Sequence, residues 1–279
     1  MITTRTTYMP LATYPEAVDD QAIRAAVGFA VSLGGTLEVT TFSVDIPRVP
    51  SPLGGLLIDV PGLVQAAEDK SRSECERLHD LIRRIGASPA VNCTSRKVLL
   101  SGMLDAAAGE ARYYDLAVLP WSGEEASAQH LIEAVVFGSG RPTILVPGPA
   151  RPAHRLDHVA IAWDGSRVAA RALGDVLPIL EEGGRVSVLT VRDEKPLAGA
   201  ALASRLAASL EKRGVKAAPI EIALGDRSIA QALQERALAE GAHLLAMGGF
   251  GHSRIRDFVL GGATTGVFAE LRMPVLLSH

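Results

Sequence analysis

The chain has 279 residues, 48% of them hydrophobic and 21% charged, a globular balance that excludes disordered, collagen-like and disulfide-scaffold classes. That length suits two domains or one large one. Lys and Arg number 28 against 31 Asp and Glu, a formal charge of −3, so there is no electrostatic footprint for nonspecific binding to nucleic acid or an anionic membrane, and any phosphate recognition has to be local. Cys75 and Cys93 have neither CxxC spacing nor a His/Cys cluster beside them. Buried or half-buried thiols are expected, not a redox or zinc site. No apolar run is long enough to span a bilayer, and Met1 to Arg5 opens no signal segment, so the expected setting is a soluble, reducing cytoplasm.

Aromatic residues are only 4%, which suits close helix-on-sheet packing. In chain order, a strand at Tyr8–Ala12 precedes a helix over Ala17–Leu33, Gly34-Gly35 and a strand at Thr36–Phe42. A loop rich in Pro and Gly, from Pro47 to Pro61, reads equally as a lid or a surface excursion. Next come a charged helix near Val64–Ile85 and a strand around Val91–Leu99. A helix near Ser101–Tyr113, a strand at Leu116–Leu119, a helix around Ala128–Phe137 and a strand at Thr143–Val146 complete the first half. Glu74, Glu76, Arg77 and Lys70 read as a solvated helix face. Residues 149–156, with two prolines, read as a linker between domains at 1–148 and 157–279.

The second half repeats the order more clearly. The run His158–Trp163 stops at the turn and helix-start signal Asp164-Gly165-Ser166, with Ser166 the better cap. A helix to about Glu182 ends at Gly183-Gly184, and a strand follows at Arg185–Val191. Leu202, Leu206 and Leu210 mark a helix within Ala198–Arg213, ahead of a strand at Ala218–Ala223. Asp226-Arg227-Ser228 caps a helix to about Glu240; the apolar run His243–Met247, a glycine-rich loop, a helix from about Gly262 and a strand at Pro274–Leu277 close the chain. Alternating strands and helices imply an open parallel sheet with right-handed crossovers, and the repeat implies duplication.

The segment Met247 to Thr264 carries the sharpest chemistry. Gly248 and Gly251 let the backbone turn tightly and approach a ligand; Gly261 and Gly262 free amides at a helix N-terminus, where the dipole favours phosphate oxygens, and Thr264 adds a hydroxyl. The plainer reading is a loop and a helix boundary. Arg254 breaks the Rossmann fingerprint and no GxxxxGK[ST] occurs, which removes the main support for hydride transfer and P-loop chemistry. Arg254 and Arg256 read as solvated or phosphate-neutralising, and His252 carries less. The seven histidines form neither HExxH nor a ligand pair, and there is no GxSxG elbow, so no metal site and no catalytic residue is assigned.

Gly248-x2-Gly251-x9-Gly261, the terminal Met273-Pro274-Val275-Leu276-Leu277 and the opening Asp164-Gly165-Ser166 together resemble the ATP-binding signature of universal stress proteins, in a tandem form whose first half matches through element order alone. The resemblance implies two doubly wound five-stranded parallel sheets of order 3-2-1-4-5 with helices on both faces and an adenine nucleotide at the strands' carboxyl ends. Asp164 would contact the ribose and adenine side, backbone near Val191 the adenine, and Gly248, Gly251, Gly261, Gly262, Ala263 and Thr264 the phosphates. The ligand implied is ATP, or AMP or ADP, with Mg as an accompanying ion, and the role is regulation or stress survival, slow ATP hydrolysis being compatible with it. Gly262 departs from the Ser or Thr common after the last glycine and removes one hydroxyl. Family dimers pair through their last strands, so Thr143–Val146 and Pro274–Leu277 are expected to pair within this chain as an intramolecular pseudo-dimer, with a further homodimer compatible.

In the first half, Tyr14-Pro15-Glu16 stands where Asp-Gly-Ser would be, and Pro120-Trp121-Ser122-Gly123 replaces the first phosphate-loop glycines. Proline lacks the amide hydrogen a phosphate needs, so this half is expected to bind no ATP. Two rivals remain open: an interaction scaffold of the same fold without nucleotide, and an adenylating or flavin-binding α/β enzyme.

Overall fold

The computed structural model describes residues 4–47, 59–85, 90–123, 126–148, 156–192, 201–249, 266–267 and 270–279. The expected linker, apart from its last residue, and the Pro47–Pro61 loop from 48 to 58 lie outside them. The first half contains β1 (Thr6–Ala12), α1 (Asp20–Ser32), β2 (Thr36–Asp45), α2 (Val60–Ile85), β3 (Val91–Leu99), α3 (Met103–Ala111), β4 (Leu116–Trp121), α4 (Ala126–Gly138) and β5 (Thr143–Pro147). The second contains β6 (His158–Ala162), α5 (Arg167–Val176), β7 (Arg185–Arg192), α6 (Leu202–Glu211), β8 (Lys216–Ala223), α7 (Ile229–Ala239), β9 (Leu244–Gly248) and β10 (Val275–Ser278).

The strands fall where apolar and β-branched runs predict them; the helices differ at their ends. α1 starts at Asp20, not Ala17, because the Asp19 carboxylate accepts the amides of Gln21 and Ala22 at 2.8 and 3.2 Å and fixes the first turn there. α5 stops at Val176, short of Glu182, and continues as one 3-10 turn over Leu177–Ile179 that contains Pro178, whose ring nitrogen carries no hydrogen.

Each half has the strand order 3-2-1-4-5, and the two are joined into one sheet of order β3-β2-β1-β4-β5-β10-β9-β6-β7-β8. Pairing is parallel within each half and antiparallel at the seam, where Val275, Leu276 and Leu277 face Leu145, Ile144 and Thr143. All residues of β4, β5 and β10 are buried, which is why those segments read as continuous apolar runs and not as alternating ones.

The repeated Gly-Gly has one cause in both halves. Gly34 and Gly183 take φ of +73° and +78°, left-handed values that turn the chain away from the preceding helix. The second glycine then slides past backbone. A Cβ on Gly35 would strike the Arg5 carbonyl, and one on Gly184 would lie 2.9 Å from the Asp157 carbonyl. Those same carbonyls accept the amides of Thr36 and Arg185, both at 2.9 Å, and so start β2 and β7 in register.

Further ties cross between halves: the Arg5 guanidinium donates to the Pro178 carbonyl at 2.7 Å, and Arg171 to the Gly140 carbonyl at 3.3 Å. No helix among the described residues is long and apolar enough to cross a membrane. Ile144, fully buried at the centre of the seam, tests how far the halves depend on it. Ile144→Ala is expected to lower unfolding free energy by about 2–5 kcal/mol in urea titration, with probes in both halves reporting the loss.

Candidate functional site

In an order of 3-2-1-4-5 the chain reverses direction between the first and fourth strands, and the connections leaving their carboxyl ends diverge to leave a crevice. Here those pairs are β6 and β9 in the second half and β1 and β4 in the first.

In the second half, Trp163 donates its amide to the Leu189 carbonyl at 2.7 Å, and the Thr190 hydroxyl donates to the Trp163 carbonyl at 2.9 Å, holding β6 to β7 up to the edge. The chain then breaks away at Asp164, which is exposed. Its Oδ1 accepts the Ser166 amide at 2.9 Å, Gly165 turns through φ +78°, and the Ser166 hydroxyl accepts the Ala169 amide at 3.2 Å as the N-cap of α5. The cap therefore belongs to Ser166. The second Asp164 oxygen has no hydrogen bond among the described residues, which leaves a carboxylate oxygen facing outward beside a helix N-terminus.

The pairing of Ile161 with Ala246 puts Gly248 at the same edge on the neighbouring strand, and Val191 is the last residue but one of β7 on the other side of β6. Asp164, Val191 and Gly248 thus sit on three adjacent strand ends. Gly248 is a glycine for a packing reason as well: a Cβ there would lie 2.5 Å from Val168 Cγ2 and 2.8 Å from the Val168 backbone. α5 can start this close to β9 because that Cβ is missing. Gly251, Gly261, Gly262, Ala263 and Thr264, with His252, Arg254 and Arg256, lie outside the described residues.

The first half reaches this edge too, a contact that the sequence did not signal. Gly249 donates to the Ser278 carbonyl at 2.7 Å, and a Cβ on it would meet Val136 and Phe137 of α4 at 3.7 and 3.9 Å. The Phe137 ring stands edge-on to His279, centroids 5.3 Å apart. The root of the glycine-rich loop therefore rests on a helix from the other half.

The corresponding crevice of the first half is filled. Ala12 pairs with Phe42 as Ala162 pairs with Leu189, so Thr13 stands at the place of Trp163 and Val44 at that of Val191. The Thr13 hydroxyl donates to the Phe42 carbonyl at 2.7 Å, and the Val44 amide donates to Ser71 Oγ of α2 at 3.0 Å, with the two hydroxyls 2.6 Å apart. Thr13 and Ser71 are both buried. Between β1, β4 and α4 lies a cavity of about 10 Å³, lined by Leu11, Glu16, Val18, Pro120 and Leu131 among others, room for about one water. Pro120 and Tyr14-Pro15-Glu16 signalled the loss of a phosphate loop; Ser71 lies too far along the chain for any local pattern to have connected it with Val44.

Two partly or wholly buried imidazoles respond to burial. His79 Nε2 lies 3.0 Å from Thr41 Oγ1, and His158 Nε2 lies 2.8 Å from Ser187 Oγ. Burial holds both below the ordinary histidine pKa, reinforced at His158 by Arg185 and at His79 by Arg83. The unfolded chain takes up these protons near pH 6.5 while the folded chain resists them, so both groups cost nothing above that pH and penalise the fold as pH falls below it. The melting temperature is expected to drop between about pH 7.5 and pH 5.5, with a shallower slope in a His79→Asn, His158→Asn variant followed by calorimetry. Ser71→Ala strands the buried Val44 amide and removes one of the two partners of the Thr13 hydroxyl; chemical denaturation is expected to show a loss of about 1–3 kcal/mol.

Comparison with known proteins places the second half. Residues 155–279 match the model of the universal stress protein family. Over the whole chain, the structure resembles a universal stress protein from Archaeoglobus fulgidus DSM 4304, at 16% identity, covering 97% of each chain with a TM-score of 0.67. It also resembles a structure from Pseudomonas aeruginosa UCBPP-PA14 named for the same family, at 12% identity, covering 99% of this chain and 93% of that one with a TM-score of 0.54. A universal stress protein solved in complex with cAMP aligns with 44% of this chain and 97% of its own at 19% identity, but its TM-score of 0.33 is too low to transfer any contact. The search of curated proteins returns no match to this chain.

Proposed function

Because residues 155–279 form a universal stress protein domain and the first half repeats its fold, we propose that the chain binds an adenine nucleotide through the second half alone and acts by regulation, in a stress-response role, not by catalysis. The observation that carries this reading is the contrast between two equivalent crevices. In one, an exposed carboxylate at Asp164 and the strand ends at Val191 and Gly248 surround the point where the sheet reverses. In the other, a serine from α2 already takes the amide at the place of Val191.

In this reading Asp164 accepts hydrogen bonds from ribose hydroxyls through the oxygen that Ser166 leaves free, and backbone at Val191 meets the base. The segment with Gly248, Gly251, Gly261, Gly262, Ala263 and Thr264 takes the phosphates and any Mg²⁺ they carry. With Gly262 where a hydroxyl is common, discrimination in favour of the triphosphate is expected to be weak, so AMP and ADP compete with ATP. The pseudo-dimer formed through β5 and β10 holds the ligand-free half against the binding half, where Phe137 meets the root of the loop, so binding in one half bears on the surface of the other. Further homodimerisation would build on this unit.

Isothermal calorimetry with ATP and AMP tests the proposal. Saturable binding near one site per chain is expected. Asp164→Ala should weaken it by about 10-fold to 100-fold, the worth of a hydrogen bond to a charged group, and Gly251→Val should abolish it. Wild-type protein that binds neither nucleotide would leave the nucleotide-free scaffold as the function.

A further inference from the structure

At the opposite edge of the second half, where β6, β7 and β8 begin, lies an open cleft of about 520 Å³, a size typical of small-molecule sites. It is separated from Asp164 by the length of β6, roughly 20 Å at the usual rise per residue. His158, Arg185 and Lys216 stand side by side across the three strands, since His158 pairs with Arg185 and Arg185 with Lys216, and paired residues of a parallel sheet project from the same face. Ser187 is one step deeper on that face, level with Ala218.

Three features distinguish this row from an ordinary solvated surface. First, Arg185 and Lys216 are like charges directly opposite each other, an arrangement that repels, and neither forms an ion pair among the described residues. Second, of the two carboxylates that line the cleft, Glu240, which caps the end of α7, is engaged by Arg236 at 2.6 Å, and Glu211 ends α6. Third, the floor is polar and buried. His158 and Ser187 are each 3% exposed and bonded to one another, and His158 also meets the Gly241 backbone.

We propose that this cleft is a second binding site, distinct from the nucleotide crevice, for a small molecule carrying a phosphate or carboxylate group. The oxyanion lies between Arg185 and Lys216, whose mutual repulsion it relieves, and the Arg185 guanidinium offers the paired donors suited to either group. The rest of the molecule extends over Ala218 towards the Ser187 and His158 pair, which supplies a neutral polar floor. Their burial keeps the floor uncharged, so the charge selection rests on the two cations at the mouth.

The test uses full-length protein labelled with ¹⁵N and titrated separately with inorganic phosphate and with succinate, ionic strength held constant with sodium chloride. Saturable shifts of the amides of Ser187 and Ala218 are expected. Arg185→Gln and Lys216→Gln should each weaken them at least tenfold, and because both side chains are exposed these variants should melt as the wild type does. The probe that saturates at the lower concentration identifies the preferred group. Shifts should persist unchanged in Asp164→Ala. Shifts that fail to saturate with both probes, or that survive the Arg185→Gln, Lys216→Gln double variant, overturn the proposal. So do shifts lost in Asp164→Ala, which would place the anion in the nucleotide crevice.

Discussion

The fold depends on an open strand edge that must be satisfied. β5 and β10 each pair in parallel with one neighbour, so without each other both would be open strand edges with a row of unpaired amides and carbonyls. Their antiparallel pairing answers both needs with one short ladder, and it sets the rest of the geometry. It brings α4 of the first half to Gly249 and His279, and sets Arg5 and Arg171 against carbonyls of the other half. The loop expected to receive phosphate therefore has a foundation drawn from both halves, although its motif is encoded in one.

Two copies of one topology have been put to different use. The first half retains the strand order but fills its crevice with material of its own: Ser71 on the Val44 amide, the Thr13 hydroxyl on the Phe42 carbonyl, and apolar side chains between β1 and β4. The two hydrogen bonds give the buried Val44 amide and Phe42 carbonyl partners from within the chain. The second half spends its local hydrogen bonds differently. Ser166 serves the helix and Asp164 keeps one oxygen for the outside.

Strands were legible in the sequence because the signal is local: a central parallel strand buried on both faces is an apolar run, and β4, β5, β6 and β9 are such runs. The cap at Ser166, the turn at Gly165 and the Gly-Gly helix exits were legible for the same reason, each acting within a few residues of itself. The helix ends were less so, since the Asp19 cap and the 3-10 turn at Pro178 compete with the general periodicity. Long-range matches left no such trace. Nothing around Ser71 announces that it meets Val44, Phe137 gives no sign that it lies against Gly249, and His158 looks like any strand-opening residue until its pairing with Arg185, and that of Arg185 with Lys216, is known.

What remains at the far ends of the ten-strand sheet sets a limit on growth. β3 carries Arg96 and Lys97 on its exposed stretch, held by Glu110 and Asp45, and β8 carries Pro219, which has no hydrogen to donate to a newcomer. A sheet with a charged margin on one side and a proline on the other resists the lateral addition of a further strand.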